Sequence, residues 1–346
     1  MRFIGCKTLL LDNIKAVIDE NVPKAETFCD IFSGTSVVSR FFKQWYEITS
    51  NDILYFSYVL QKATIENDNV PLFKKLGEIG ILDPIDYFNN LELPDMEVLA
   101  KEKRFFQNTY APIGGRMYIN NENALRIDYA RNTVEDWHKA GKVNDMEYYY
   151  LIACIVEGIP FVSNISGTYG AFHKEWERRS YKKYELFRLE VLQNGKNNRS
   201  YHGDGVELLK DLSGDILYID PPYNGRQYLS NYHVLETAAK YDFPIVKGIT
   251  AQRPYENNKS DFCVKGKVVE AFSQLMVNAD YEHIILSYNT DGLMTVKEIE
   301  TVMKTYGEAG TFKIYEIPYR RYKSRKQGAK KELKELLVYV HKQRKR

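Results

Sequence analysis

The chain has little of what metal or disulfide chemistry needs. Its four cysteines, Cys6, Cys29, Cys154 and Cys263, lie far apart and form no C-x-x-C pair. That argues against both a zinc site and a disulfide framework. The six histidines show no H-E-x-x-H or related ligand spacing, so these residue types lead us to expect no metal. No apolar run approaches a membrane span of ~20 residues. The opening stretch MRFIGCKTLLLDNI has only a short apolar part before Asp12, which does not read as a signal peptide. A cytoplasmic chain without membrane contact is the expectation. Internal repeats and long low-complexity segments are absent as well.

Net charge is also low, +2 from 48 basic and 46 acidic residues, and by itself excludes little. Its distribution is more informative. The last segment, YRRYKSRKQGAKKELKELLVYVHKQRKR, carries a dozen Lys and Arg against two Glu. Such a patch reads either as contact with nucleic-acid phosphates or as a solubilising tail. The 27 tyrosines suit base stacking between basic residues, but equally suit a large core.

At 346 residues, the chain is long enough for one large α/β domain with an insertion, or for two domains. Residues 1–60 alternate helix and strand. KTLLLDNIKAVIDENV has helical apolar spacing. TFCDIFSGTSVVSRFFKQWY reads as strand, small-residue turn and helix. YEITSND reads as a strand ending at Asn51-Asp52. From about 61 to 180, helix-prone charged segments alternate with irregular ones, YAPIGGRMYINNENALRIDYARNTVEDW and GIPFVSNISGTYGAFHKEWERRSYKKYE, around a helical MEYYYLIACIVEGI. Alternation then returns. NRSYHGDGVELLKDL reads as strand, turn and helix, DILYIDPPY as a buried strand, and HVLETAAKYD and VVEAFSQLMVNA as helices. HIILSYN reads as a strand, and TFKIYEIPYRRYK and KELLVYVHK as a closing pair. The expected architecture is a mainly parallel, Rossmann-like α/β sheet formed by 1–60 and 181–346, with an inserted, mostly helical domain at 61–180.

Ligands of open α/β sheets bind beyond the carboxyl ends of the strands. Four such ends stand out: Phe32-Ser33-Gly34-Thr35, Asn51-Asp52, Gly203-Asp204-Gly205 and Asp220-Pro221-Pro222-Tyr223. Three bring a carboxylate to one rim, and the fourth brings small residues that let a ligand approach the backbone. Singly, Asp52 and Asp204 read as helix caps. As a set, Asp52 is placed for ribose hydroxyls and Asp204 for an adenine amino group. Asp-Pro-Pro-Tyr is the specific element. Its prolines fix the backbone and remove two N–H donors, so the Asp220 carboxylate and the Pro221 carbonyl form a pair of acceptors. An exocyclic amino group has two N–H donors to match them. Tyr223 offers a face on which a base stacks. Two acceptors on the hydrogens of a conjugated amine favour its pyramidal, nucleophilic form, which suits methyl transfer by positioning. The bland reading of the same residues is a rigid turn.

These residues resemble the alpha-class DNA adenine-N6 methyltransferases, which include Dam-type enzymes. FIGCK is similar to the family's amino-terminal motif, with Lys7 as its lysine. DIFSGTSVVSRFF resembles the methyl-donor motif, with Ser36 where a second glycine is common. SNDILYFS and HGDGVELL resemble the segments whose acids, here Asp52 and Asp204, contact the donor's ribose and adenine. DPPY resembles the catalytic motif, and LSYN (Leu286 to Asn289) the strand behind it. YAPIGGRMYINNENALRID, NISGTYGAFHKEW and DPPYNGRQYLSNYHVLE are similar to the type II and type IIS modification methylases, whose sites include CATG and GGATG.

The resemblance implies S-adenosylmethionine as methyl donor, held near Phe3, Lys7, Phe32, Gly34, Asp52, Asp204 and Asp220, with no metal. It implies a target adenine flipped out of duplex DNA, with Asp220, Pro221, Pro222 and Tyr223 at the reacting amino group. It implies target recognition within 61–180, a bacterial or phage-type context and a cognate restriction endonuclease as partner. The DNA-contacting candidates are Arg116, Asn164, Tyr169 (as a wedge into a base step) and Arg226, with Arg126, Arg131, Asn120 and Asn121 behind them. Gln227 reads as positioning DNA or Tyr223. The alternatives are an RNA methyltransferase acting on an exocyclic amine, and an inactive DNA-binding protein on the same fold.

Overall fold

The run Ile216-Leu217-Tyr218-Ile219 is buried along its whole length. A strand apolar on both faces belongs in the middle of a covered parallel sheet, and that is where it lies. The computed structural model of the chain describes residue 5 and residues 7–256, 259–318 and 334–344. Seven strands form one sheet: β1 (Thr27–Asp30), β2 (Glu47–Asp52), β3 (Arg199–His202), β4 (Ser213–Ile219), β5 (Asp280–Asn289), β6 (Lys313–Pro318) and β7 (Lys334–His341). Their order is β3-β2-β1-β4-β5-β7-β6. The first five are parallel. β7 runs antiparallel between β5 and β6. The expected Rossmann-like α/β sheet is present, with the closing pair of strands at one edge.

The chain divides into two compact units. The sheet unit comprises Lys7–Ile53, Lys196–Gln227 and Lys259–Arg346. One face of its sheet packs Leu217, Ile219, Ile284, Leu286, Leu336 and Val338 against Phe272, Met276 and Met303. Those last three belong to the helices Val268–Asn278 and Val296–Tyr306. Phe28 stacks on Phe42 at 4.7 Å and on Tyr218 at 6.1 Å. The Val296–Tyr306 helix had not been anticipated. Its signature is the capping box Thr295-x-x-Glu298, whose two reciprocal bonds are both formed.

The second unit contains Leu54–Gly195 and Tyr228–Asn258. It is wider than the 61–180 insertion expected and also takes in the segment after the Asp-Pro-Pro-Tyr turn. Its described residues are helix and loop, with one isolated bridge, Lys247–Gln252. The irregular reading of residues 110–137 requires correction, because Asn121–Lys139 is one 19-residue helix capped by Asn120. Its buried side mixes polar residues, Asn123, Arg126, Asp128 and Arg131, with apolar ones, which hid its period. Asp128 accepts from the Phe106 and Gln107 backbone N–H groups and from the Tyr241 hydroxyl. Asn123 bonds Tyr184 and Lys182, and Arg126 donates to the Leu91 carbonyl. Arg131, fully buried, donates to the Ala238 carbonyl and lies over the Tyr241 ring. Satisfied polar groups can line a core, but an apolar periodicity does not register them. Among the described residues no helix is long and apolar enough to cross a membrane.

Candidate active site

Four adjacent parallel strands, β3, β2, β1 and β4, end at one rim of the sheet, and each delivers one of the four motifs. At the end of β1, Ser33 N–H donates to the Asn51 carbonyl at 2.8 Å, and Gly34 N–H donates to Asp52 Oδ2 at 2.8 Å. The loop then turns through two left-handed residues, Gly34 (φ 52) and Ser36 (φ 60). Asn51 Nδ2 donates to the carbonyls of Ile31 and Gly203 and so ties the β1 and β3 ends together. At β3, Asp204 caps the helix Gly205–Leu208 through the Val206 and Glu207 N–H groups. A Cβ on Gly205 would lie 2.9 Å from Ile31 Cγ1 and 3.2 Å from the Ile31 carbonyl oxygen. Only glycine lets these two ends approach so closely.

Asp30 closes β1 as a buried carboxyl. Its Oδ2 accepts from Ser39 Oγ at 2.7 Å, and Ser39 Oγ lies 2.7 Å from Ser33 Oγ. Burial pushes Asp30 up to about 6, against the pull of the two serine hydroxyls. Asp30 Oδ1, Ser36 Oγ and Asn51 Oδ1 are buried without hydrogen-bond partners. Buried polar atoms are rarely left so, and three clustered at a strand-end rim suit a ligand rich in amino and hydroxyl groups. The Phe32 ring meets Phe262 edge-on at 5.1 Å and supplies an aromatic wall. These residues fit an adenosyl methyl donor. Among the described residues no group of three or more His, Cys, Asp and Glu could hold a metal ion.

The fourth end carries Asp220 and Tyr223. Asp220 follows the buried β4 and keeps 16% of its side chain exposed. Lys7 Nζ lies 3.0 Å from Asp220 Oδ1 and 3.7 Å from Glu335 Oε2 on β7. The same ammonium sits 5.3 Å from the centre of the Tyr223 ring. Burial raises Asp220 to about 7, opposed by Lys7. Burial alone would lower Lys7, but Asp220, Tyr223 and Glu335 outweigh it and raise it, so Lys7 stays charged. The Tyr223 carbonyl accepts from Leu293 N–H at 3.1 Å, and its ring meets Tyr288 edge-on at 6.0 Å. Tyr288 lies in the LSYN strand, and its hydroxyl accepts from Met294 N–H. Past the turn, Asn224 Oδ1 accepts from Arg226 N–H, and Gln227 exchanges two bonds with the Ser260 backbone. Gln227 therefore fastens the segment behind the motif.

The structure thus brings together Lys7, Phe32, Gly34, Asp52, Asp204 and Asp220–Tyr223 in one unit. Phe3 and residues 319–333 of the basic segment lie outside the described residues. Two DNA-contact expectations are corrected. Tyr169 is buried. Its hydroxyl pairs with Ser163, its N–H with the Asn231 carbonyl, and its carbonyl with Tyr118 and His233. It is a core tyrosine and has no free ring to wedge. Asn164, also buried, bridges the His173 carbonyl and the Glu177 N–H. Arg116 is engaged by the carbonyls of Thr109, Gly114, Gly248 and Ile249. Buried Arg126 and Arg131 and the cap Asn120 serve the second unit's own packing, and Asn121 accepts from Ile113 N–H. Arg226 is exposed. Sequence reading missed Asp30, Phe262 and Glu335. For Asp30 there was a signal, an acid ending a buried strand. The Glu335–Lys7 contact leaves no local trace.

A sheet of this order, with a ligand-ready rim beside an Asp-Pro-Pro-Tyr turn, is that of a Rossmann-like methyltransferase. Residues 3–302 match the D12 class N6 adenine-specific DNA methyltransferase family, and the chain belongs to that family. It is 46% identical over 345 residues to the type II methyltransferase M.FokI of Planomicrobium okeanokoites. It is 42% identical over 341 residues to the modification methylase StsI of Streptococcus sanguinis. These matches cover 99% and 98% of the chain but only 53% and 52% of those proteins, so it spans about half their length. With the type II methyltransferase M.NlaIII of Neisseria lactamica it shares 34% identity over 94% of the chain and 93% of the relative.

Proposed function

We propose that this chain transfers a methyl group from S-adenosylmethionine to the N6 amino nitrogen of an adenine in a short duplex DNA site. It does so as the modification arm of a restriction-modification system, alongside a separate endonuclease. The observation that carries the reading is the Asp220-Pro221-Pro222-Tyr223 turn, beside the donor-ready ends of β1, β2 and β3. The amino group cannot be reached inside a duplex, so the base must be turned out. Tyr223 takes its face. Asp220 and the Pro221 carbonyl accept its two N–H bonds, which localises the nitrogen lone pair. The donor, when bound, supplies a methyl group on a sulfonium. Asp52 would hold its ribose, Asp204 and Phe32 its adenine, and the Gly34 loop its close approach. The nitrogen forms its bond to the methyl carbon as the sulfur–carbon bond breaks. The surplus proton leaves the nitrogen afterwards, to water. Lys7 holds the Asp220 carboxylate as the counter-ion. The second unit is assigned to target recognition, and exposed Arg226 to DNA phosphate.

The test is transfer from a methyl-labelled donor to duplex DNA and, in parallel, to ribosomal RNA, with the product nucleoside identified. Sequencing DNA from a host expressing the chain then reads which adenines are modified. N6-methyladenine at one short motif is the expected result. Label confined to RNA would overturn the reading.

A further inference from the structure

Glu335 is a buried carboxylate for which the reaction as described has no use. Its side chain is 6% exposed. It stands on β7 with Asn289 of β5 on one side and Ile317 of β6 on the other, so the sheet fixes the backbone from which its side chain extends. Among the described residues its ion-pair partner is Lys7, and its Oε2 has no hydrogen bond. Lys7, by contrast, reaches the site on a flexible four-carbon stem from a segment outside the sheet. Without Glu335, that ammonium would be placed by Asp220 and the Tyr223 face alone.

We propose that Glu335 is a positioning residue of this site: from β7 it holds the Lys7 ammonium against Asp220, so that the carboxylate receiving the substrate amino group keeps its counter-ion. The idea rests on the function proposed above. The field of Glu335 argues for positioning and against a direct electrostatic role. Its negative charge repels Asp220 and, with Asp30, pushes that carboxyl up. A group present only for its charge would oppose what the site needs. Burial raises Glu335 itself, and Lys7 opposes that rise. Among the described residues, the charged and titratable groups around the pair are Lys7, Asp30 on β1, Tyr218 on β4, and Asp220 and Tyr223 after it.

The two roles predict opposite signs, which makes the test decisive. The Asp220 carboxyl is followed by carbon NMR through a pH titration of the full chain without DNA, with Asp220→Asn assigning its signal. In Glu335→Gln, loss of positioning moves the Asp220 titration to higher pH, by about one unit, although a nearby negative charge has gone. Methyl transfer at low pH then falls about tenfold and recovers as pH rises. In Glu335→Asp, which keeps the charge but is one methylene short, the shift has the same sign and is smaller. A downward shift in Glu335→Gln, with Glu335→Asp like the parent, would assign a field effect and overturn the proposal. No shift in either variant would also overturn it. If Glu335→Gln does not fold, Glu335→Asp alone carries the same comparison. A parent chain that methylates no DNA would refute the proposed function, while the carboxyl titration would still decide the role of Glu335.

Discussion

Ser36 occupies a conformation that serine does not favour. Its φ of 60° and ψ of 21° are left-handed, its side chain is fully buried, and its hydroxyl has no partner. Replacing it with glycine changes three terms. Relief of the left-handed strain gains about 1–2 kcal/mol. The added freedom of a glycine in the unfolded chain costs about 0.5–1 kcal/mol. Removing an unsatisfied buried hydroxyl gains at least about 1 kcal/mol. Ser36→Gly should therefore stabilise the chain by about 1.5 kcal/mol, or a few degrees in Tm. Ser36→Ala separates the terms, because it removes the hydroxyl and keeps the strain. Its gain should be smaller than that of Ser36→Gly by the difference between strain and chain freedom, about 0.5–1 kcal/mol. Denaturant unfolding of the three proteins measures both steps. A Ser36→Ala protein as stable as Ser36→Gly would refute strain at this position. Destabilisation in both variants would refute the unsatisfied hydroxyl.

The remaining predictions concern the reacting end. Methyl transfer should be lost as pH falls through about 7, where Asp220 takes up its proton; a single-turnover rate independent of pH from 5.5 to 9 would contradict this. The stability effect of the same group has the opposite sign to that of an ordinary ion-paired acid. Its folded value lies above the ~3.9 of an unfolded aspartate. The folded state therefore binds the extra proton, and this group's contribution to stability falls as pH rises from about 4 to about 7. Asp220→Asn should leave the fold intact and reduce the transfer rate on the order of a hundredfold or more, like the loss of another preorganised electrostatic partner. Tyr223→Ala should weaken capture of the flipped base by about 1–3 kcal/mol, read with a fluorescent adenine analogue, whereas Tyr223→Phe should stay near the parent; equal losses would assign the role to the hydroxyl. At Gly292, a Cβ would fall 2.2 Å from Tyr288 Cε1. Gly292→Ala should therefore cost about 1–3 kcal/mol of stability and shift the ring against which Tyr223 rests. An unchanged melting temperature would argue against that contact.

What the sequence discloses depends on how local the signal is. Asp220–Tyr223 is legible because strand, acid, prolines and ring are consecutive, and their chemistry follows from residue type. Asp52 and Asp204 are legible because strand and helix alternate and the strand ends can be counted. The second unit defeats the same reading. Arg126, Arg131, Asn164 and Tyr169 look like surface residues by type, but each is buried with backbone partners. Residue type sets the odds of burial, while the availability of carbonyls and N–H groups decides it. The contacts expected of Asn164 and Tyr169 fail for this reason, whereas Arg226 is exposed, and the helix Asn121–Lys139 was hidden by buried polar groups interleaved with its apolar ones.

The reacting end combines both regimes. A carboxylate of the local motif is buried deeply enough to stand at about 7 even with Lys7 opposing the rise, so without Lys7 the motif would be protonated for more of the time at neutral pH. The opposing charge comes from Lys7 at the far amino-terminal side, itself beside Glu335 near the carboxyl end, and neither is near Asp220 in sequence. The four-residue turn supplies the geometry for an amino group. Its charge state depends on contacts made only when the first helical segment and β7 close on the same sheet.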